Sequence, residues 1–150
     1  INGLLLAIHH PEKVNKLVIS GANLIPDDSV LDPQGVAFIA DAKKELMAAK
    51  QDASIKNTLK LINMMDLEPH IPLTDLQKIK CPVLVIGGDA DVIKPSHTVQ
   101  IFENIPHANL WILPFSGHAT MQRSKEDFNT NVFAFFQKPY QKAKWNDWDE

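Results

Sequence analysis

Two aspartates and a histidine stand where this chain is best suited to chemistry. Asp89 and Asp91 follow directly after the apolar run 83–86 and a pair of glycines, and His118 lies 27 residues beyond Asp91. A carboxylate that hydrogen-bonds an imidazole fixes the tautomer of the ring and stabilises its charged form, so that the ring can act as general base and then as general acid. The residue types therefore predict a proton-transfer pair formed by Asp91 and His118.

The elements that carry these residues are predicted to bring them together. The run 83–86 is typical of a short strand buried on both faces, and a second strand is predicted at 109–113. In open α/β sheets the carboxyl ends of parallel strands form the edge at which ligands bind, so we expect Asp91 and His118 to meet there. The residues alone leave a second interpretation open, in which Asp91 caps a helix that begins at Pro95 and His118 is an ordinary loop residue.

The other elements follow from apolar periodicity and from helix-breaking residues. A helix over residues 2–10 is apolar nearly all round, and the β-branched run 14–21 predicts a strand. Thr74 is the expected N-cap of a short helix, and Ser124 with Asp127 is expected to form a capping box at the last helix. Further helices are predicted at 36–50, 53–67, 74–79, 95–104 and 125–138.

Two of these helices lie between strands of the sheet and exceed what a simple crossover needs. We predict a lid or cap inserted at about 24–70, with a packed peripheral helix pair as the alternative. Met47, Met64 and Met65 are expected to serve packing, with the lining of an apolar substrate pocket as the alternative. The stripes expected to be buried are Phe38, Ile39, Ala42, Leu46 and Ala49 on the first helix, Ile55, Leu59, Leu61, Ile62 and Met65 on the second, and Phe128, Val132, Phe133, Phe135 and Phe136 on the last helix of the chain.

Composition and charge argue against several classes of function. The 150 residues suffice for one domain with a core, and contents of 45% hydrophobic and 22% charged residues are ordinary for a globular protein. A net charge of -3 gives no basic surface for nucleic acid or membranes. The lone cysteine, Cys81, excludes an intrachain disulfide and is interpreted as a small buried residue of a strand.

The remaining histidines do not predict a metal site. His9 and His10 are adjacent, so on a helix they point in different directions, and no cysteine or carboxylate cluster joins them. His70 and His97 stand alone in the sequence. We expect all four to face solvent or to lie at helix ends, and we expect no metal or organic cofactor.

The two ends of the chain differ in character. Residues 1–8 are apolar but lack a charged n-region, and two histidines and a proline follow too early for a bilayer span, so we expect a cytoplasmic protein without signal peptide or transmembrane segment. Ile1 stands at the start of the first predicted helix, and no capping residue precedes it, so we interpret the chain as a fragment, a processed chain or a trimmed one. The alternative is a complete domain that has lost a Met or a tag. The tail 140–150, with Trp145 and Trp148, is expected to be partly loose.

Two groups of residues together resemble one enzyme family. The first group is Gly88-Asp89-Ala90-Asp91 with Ile93, Pro95 and Ser116-Gly117-His118, and the second is residues 1–7, 10–14 and 17–23. The first resembles the C-terminal half of α/β-hydrolase fold enzymes, and the second is similar to the segment after their nucleophile elbow, in particular in the esterase-like branch. The resemblance implies an α/β fold that holds the C-terminal part of a hydrolase sheet, about three parallel strands with flanking helices, plus a helical cap.

The resemblance also implies roles for the predicted pair. Asp91 matches the acid of the family's Ser-His-Asp triad, as the fourth residue of a Gly-x-x-Asp turn, and His118 matches the triad base. Asp89 is then a turn residue and the fallback acid. The family's nucleophile lies in a G-x-S-x-G turn, which these 150 residues do not contain, since Ser20 and Ser116 precede a glycine without the required spacing. By alignment the serine would fall roughly four residues before the first residue.

The function implied is hydrolysis of a carboxylic ester or a small acyl substrate by a serine hydrolase, of which this chain would be a C-terminal fragment, inactive alone. The first helix would help to stabilise the oxyanion through its N-terminus. The alternatives are a non-catalytic binding or assembly module that keeps part of the fold, and a dehalogenase-type hydrolase with an aspartate nucleophile. The strand near 17–20 would have an open edge, so we expect a self-paired dimer or a complex with the missing N-terminal half, and no nucleic-acid or membrane partner.

Overall fold

The computed structural model describes residues 1–142 and Lys144, and a parallel sheet forms the centre of this part of the chain. Its strands are β1 Leu17–Ser20, β2 Val83–Gly88 and β3 Ala108–Leu113, in the order β1-β2-β3, and both neighbouring pairs run parallel. The predicted α/β class, with about three parallel strands and flanking helices, is confirmed. Trp145 and Trp148, in the tail expected to be loose, lie outside the described residues.

Helices flank the sheet at positions close to those predicted. The α-helices of the described residues are α1 Asn2–His9, α2 Pro33–Ala48, α3 Ala53–Leu67, α4 Pro95–Asn104, α5 Thr120–Arg123 and α6 Lys125–Gln137, with 3₁₀ turns at Pro11–Lys13 and Leu73–Lys78. The short α5 has no counterpart in the prediction, because a 4-residue helix is too short to show a periodic pattern. Within the described part of the chain, no helix combines the length and the apolar character needed to cross a membrane.

The central strand β2 is buried along its whole length because helices cover both faces of the sheet. Successive side chains of a strand point to opposite faces. Val83 and Val85 join a core formed with α1 and α4, whereas Leu84 and Ile86 join a second core beneath α6. Burial of each such side chain contributes on the order of 2 kcal/mol, so packing on both faces determines the position of this strand.

The last helix contacts the sheet along a narrower face than predicted. Phe128, Val132 and Phe135 lie at i, i+4 and i+7, so they share one face, and all three pack against the second core. Phe133 and Phe136 are rotated away from that face and are 65% and 46% exposed. The prediction that all five side chains are buried is therefore wrong, because a surface helix buries only one stripe.

One predicted helix cap is wrong, and a second lacks the side-chain bonds that were predicted for it. Thr74 lies inside its 3₁₀ turn, whose N-cap is Pro72, a residue whose fixed φ suits the start of a helical turn. Ser124 is the N-cap of α6 but forms no side-chain cap hydrogen bond, so it makes no capping box with Asp127. Because Ser124 also ends α5, its backbone has φ -133° and ψ 61° instead of the extended geometry that suits an N-cap.

Helices α2 and α3 form an insertion between β1 and β2 and pack against each other. Each has an aspartate as its N-cap. Asp32 Oδ1 accepts the N–H of Gln34, and Asp52 Oδ1 accepts the N–H of Ile55, both at 2.9 Å. These bonds satisfy N–H groups that a helix start otherwise leaves without a partner.

The outer faces of this helix pair are open. Phe38 and Leu61, each predicted to lie on a buried stripe, are 67% and 52% exposed, so those parts of the prediction are wrong. Met47, Met64 and Met65 are also largely exposed and do not serve core packing. The physical reason is that α2 and α3 pack mainly against each other, so neither helix has the sheet to bury a full apolar face. A role of the insertion as a lid stays a prediction.

Backbone hydrogen bonds anchor the start of the insertion beside the segment that follows β2. The N–H of Asp32 donates to the carbonyl of Val92 at 2.7 Å. The N–H of Lys94 donates to the carbonyl of Val30 at 2.9 Å. Because Asp91 comes just before this segment, the insertion joins the sheet close to the predicted site.

His97 lies at a helix end, which is one of the two positions predicted for it, but it is buried and does not face solvent. It is 5% exposed in the first turn of α4. Its Nε2 accepts the N–H of Leu24 at 3.1 Å and its Nδ1 lies 3.1 Å from Oε1 of Gln100, so Nδ1 carries the hydrogen and Nε2 does not. Burial lowers the pKa of His97 by more than Gln100 and the charge of Asp27 raise it, which keeps the ring neutral at neutral pH.

We expect His97 to make folding sensitive to acid. Because its pKa is lowered in the folded protein, the unfolded chain binds this proton more readily, and stability is lost as pH falls below the ordinary histidine pKa of 6.5. His97→Gln removes the titrating group and should reduce that loss, by at most about 1.4 kcal/mol per pH unit. Urea unfolding between about pH 7.5 and pH 5.5 measures the effect, and an equal loss in both proteins would contradict it.

Candidate active site

Asp91 and His118 meet at the carboxyl-terminal edge of the sheet. Nδ1 of His118 and Oδ1 of Asp91 lie 2.8 Å apart. The Asp91 side chain is fully buried, whereas that of His118 is 55% exposed. Since Nδ1 faces the carboxylate, Nε2 is the ring nitrogen left for an incoming group. The contact expected from the sequence is present, and a catalytic role of the two residues stays a prediction.

Asp91 does not cap the helix that follows it. Its Oδ1 accepts the N–H of Ile93 at 2.9 Å, and the N-cap of α4 is Lys94. The interpretation of the carboxylate as a helix cap is therefore wrong. An aspartate bonded to an amide two residues on forms an Asx turn, which here holds the carboxylate beside the end of β2.

The two side chains change each other's proton affinity. Burial by itself raises the pKa of Asp91, but hydrogen bonds from His118 and Ile93 outweigh it and hold that pKa below its ordinary value. The bond to Asp91 raises the pKa of His118 although burial opposes this. At neutral pH the carboxylate is ionised and the imidazole is a stronger base than usual. Such a pair can take up a proton at Nε2 and stabilise the charge that results.

A glycine at the end of β2 lets the loop of His118 approach. A Cβ at Gly88 would lie 2.0 Å from the carbonyl oxygen of Ser116, so no larger residue fits without moving the loop. The carboxylate of Asp89 accepts the N–H groups of Phe115 and Ser116, each at 2.9 Å. Asp89, the fallback acid of the sequence analysis, thus bonds to the loop backbone, while Asp91 holds the ring.

Sequence reasoning missed Gly21, which touches the imidazole. Its φ of +57° lies in the left-handed region, and a Cβ at this position would be 2.7 Å from Cε1 and 2.8 Å from Nδ1 of His118. Glycine adopts this conformation without strain and leaves room for the ring. The sequence does offer one signal, a glycine directly after β1, but it does not indicate which side chain lies over it.

Two hydroxyl groups connect β1 to the segment after His118. Ser20 Oγ and Thr120 Oγ1 lie 2.7 Å apart, and Thr120 is fully buried. Ser116 is also buried, with its hydroxyl 3.4 Å from the carbonyl of Gly117. Among the described residues, no hydroxyl or thiol hydrogen-bonds to His118. The site assembled by this part of the chain is a base with its orienting acid.

The described residues hold no group of three or more His, Cys, Asp or Glu that could bind a metal ion. His9 and His10 are exposed at the end of α1, and His70 is exposed as well. Cys81 is buried as expected, but it precedes β2 and so lies at the opposite end of that strand from Asp91.

We expect Asp91→Asn to lower the pKa of His118. Asparagine keeps the size of the side chain but carries no charge, so the imidazolium loses its stabilising partner. NMR titration of the His118 Cε1–H resonance measures this pKa. Asp75→Asn is the matched control, because Asp75 pairs with Lys78 outside the site and its loss should leave His118 unchanged. An unaltered titration in Asp91→Asn would show that the contact has no electrostatic effect.

Comparison with known proteins identifies partial relatives. No family model matches the chain. RutD of Caulobacter sp. strain K31, a proposed carbamate hydrolase, is 27% identical in an alignment that covers 89% of this chain and 60% of RutD. The human serine hydrolase BPHL is 24% identical in an alignment that covers 91% of this chain and 51% of BPHL. The chain thus spans only about half to three fifths of the length of these relatives.

Solved structures give the fold. MGS-M2, an α/β hydrolase from a Medee basin deep-sea metagenome, matches with a TM-score of 0.70 at 18% identity, over 94% of this chain and 62% of its own. MGS-MChE2, an α/β hydrolase from the metagenome of lagoon sediments at Mar Chica, Morocco, matches with a TM-score of 0.64 at 25% identity, over 90% of this chain and 55% of its own. This chain therefore has the α/β-hydrolase fold, of which it holds the C-terminal part of the sheet with its flanking helices and a helical insertion.

Proposed function

We propose that this chain provides the general base and the orienting acid of a serine hydrolase that cleaves carboxylic esters or related small acyl substrates. The observation that carries the proposal is the 2.8 Å hydrogen bond between Nδ1 of His118 and the buried carboxylate of Asp91. The reaction class is supported by the hydrolase names of the relatives, RutD and the serine hydrolase BPHL. No cofactor takes part in the proposed reaction.

The proposed reaction begins with attack of a serine hydroxyl on the carbonyl carbon of the substrate. Nε2 of His118 takes the serine proton as the Oγ–carbon bond forms, and it returns that proton to the departing alcohol as the ester bond breaks. Water then attacks the acyl-serine with His118 again as base, which releases the acid and restores the serine. Asp91 stays ionised throughout and stabilises the imidazolium.

The attacking serine is proposed to come from outside these residues. The 150 residues contain no G-x-S-x-G turn, and the aligned part covers 60% of RutD and 51% of BPHL. Helix α1 would then follow the nucleophile, and its first N–H groups would stabilise the developing oxyanion. In this proposal the chain is a C-terminal fragment of the active protein and is inactive alone.

The insertion at about 24–70 is proposed to act as a cap over this site. Near the start of the insertion, the N–H of Asp32 donates to the carbonyl of Val92, the residue directly after the candidate acid. The insertion is therefore attached next to the reacting groups. Its helices expose apolar side chains that a small acyl substrate could contact, among them Phe38 and Met64. The cap would thus select substrates by shape and apolar character.

A labelling experiment on the protein from its natural source tests the proposed function. A fluorophosphonate probe should label a serine that precedes Ile1, and the protein should hydrolyse p-nitrophenyl acetate. His118→Ala should reduce kcat on the order of 10⁴-fold, because the serine loses its base. His9→Ala is the matched control, since this exposed histidine lies at the end of α1, and it should leave kcat unchanged.

Other outcomes of this experiment separate the alternatives. Absence of both labelling and hydrolysis would favour a non-catalytic binding or assembly module. Hydrolysis that depends on His118 without a labelled serine would favour an aspartate nucleophile of the dehalogenase type. Esterase activity of the 150-residue chain alone that disappears in His118→Ala would contradict the proposed need for an outside serine.

We also propose that the open edge of β1 pairs with another polypeptide. Among the described residues β1 pairs on one side only, with β2, which leaves its other edge available for a parallel or antiparallel neighbour. The expected partner is a second copy of the chain or the N-terminal half of the same hydrolase. Sedimentation of the isolated chain should show a dimer, and addition of the N-terminal half should give a complex. A cooperatively folded monomer would contradict this proposal.

A further inference from the structure

The carboxylate of Asp89 forms hydrogen bonds with the backbone of the loop that carries His118. Oδ2 accepts the N–H of Phe115 and Oδ1 accepts the N–H of Ser116, each at 2.9 Å. These two bonds hold the pKa of Asp89 below its ordinary value, so the group stays ionised across the neutral range. Hydrogen bonds to an ionised acceptor are stronger than those between neutral groups, which makes this a firm attachment for an exposed residue.

The backbone around Asp89 completes the attachment. The N–H of Asp89 donates to the carbonyl of Leu113, and the N–H of Ala90 donates to the carbonyl of Ser116, both at 3.0 Å. Together with the two carboxylate bonds, these contacts join the turn after β2 to the turn after β3. Asp91 follows two residues later in the same segment. Asp89 therefore binds the loop backbone, and Asp91 binds the imidazole of His118.

Phe115 shows that the loop needs this attachment. Its φ of 55° lies in the left-handed region, which residues with a Cβ avoid. Its side chain is 84% exposed, so packing does not hold the residue in that conformation. The bond from its N–H to Asp89 is the polar contact that the structure provides at this position.

The imidazole itself has few restraints beyond its backbone. Nδ1 bonds to Asp91, Gly21 lies against one edge of the ring, and more than half of the side chain is open to solvent. The course of the loop through residues 115–117 therefore decides where Nε2 lies relative to an incoming hydroxyl. A shift of about 1 Å at a reacting group is enough to cost much of its catalytic effect.

From these contacts we propose that Asp89 is a positioning residue, which sets the place of the His118 ring by holding the preceding loop. Asp89 touches neither the ring nor the reacting atoms, so it acts through the backbone of Phe115 and Ser116. This inference rests on the proposed function, because it assigns Asp89 a part in the same proton transfer.

Asp89→Asn in the full-length protein tests the inference. The amide retains one acceptor oxygen but turns an N–H₂ toward a backbone N–H, so one of the two bonds is lost. We expect kcat to fall about tenfold or more with KM within about twofold, because the ring moves while the substrate contacts stay. Asp127→Asn, at another exposed carboxylate, is the matched control and should leave both constants unchanged.

Two further measurements separate positioning from a merely structural role. NMR titration should show that Asp89→Asn, while folded, moves the pKa of His118 back toward its ordinary value, because the ring no longer rests on Asp91. Phe115→Gly added to Asp89→Asn should restore part of kcat, since glycine adopts a positive φ without strain. A folded Asp89→Asn protein with wild-type kcat and wild-type His118 titration would overturn the inference.

A second variant and the His118 titration test the inference if Asp89→Asn fails to fold or if the proposed function fails. Asp89→Glu keeps the charge but is one methylene longer, so it should shift kcat and the His118 titration in the same directions, and wild-type values for both would overturn the inference. If the wild-type protein does not hydrolyse esters, the proposed function fails. The His118 titration still judges Asp89 in that case, because it requires no turnover.

Discussion

The parallel pairing of β2 with β3 is the constraint on which the candidate site depends. Its register aligns Gly88 with Leu113, so both strands end at one level and the loops that follow leave the sheet side by side. Asp91 and His118 lie in those two loops and can therefore form their 2.8 Å hydrogen bond. A slip of one residue would turn the side chains of β2 to the wrong faces, and the separate cores on its two sides oppose such a slip.

The site holds an ionised carboxylate in a buried position, which costs free energy that its neighbours only partly offset. Oδ1 of Asp91 accepts bonds from the His118 ring and from the Ile93 amide. Oδ2 has no hydrogen-bond partner among the described residues, and an unsatisfied buried oxygen destabilises a fold by about 1–3 kcal/mol. The same poorly solvated charge favours a protonated imidazole beside it. The buried charge of Asp91 thus lowers the stability of the fold while it supports the proposed role of His118 as a base.

The helical insertion combines a firm base with open outer faces. Its stem is held by the backbone bond from Asp32 to Val92 and by the buried imidazole of His97, which accepts the N–H of Leu24. Beyond the stem, α2 and α3 have mainly each other as packing partners and leave residues such as Phe38 exposed. A peripheral helix pair that served only packing would bury such side chains on the sheet. The observed arrangement supports the proposed cap.

Local patterns in the sequence by themselves determined the α/β class, the three strands and the two insertion helices; α3, for instance, is predicted at 53–67 and observed at Ala53–Leu67. They also indicated Asp91 and His118, because strand ends and glycine turns are visible in short windows. Only the tertiary structure decided that Gly21 lies against the imidazole, that Asp89 bonds to the loop before it, and that His97 is buried. The physical reason is that each of these contacts joins segments far apart in the chain, which meet only once the strands have paired in register.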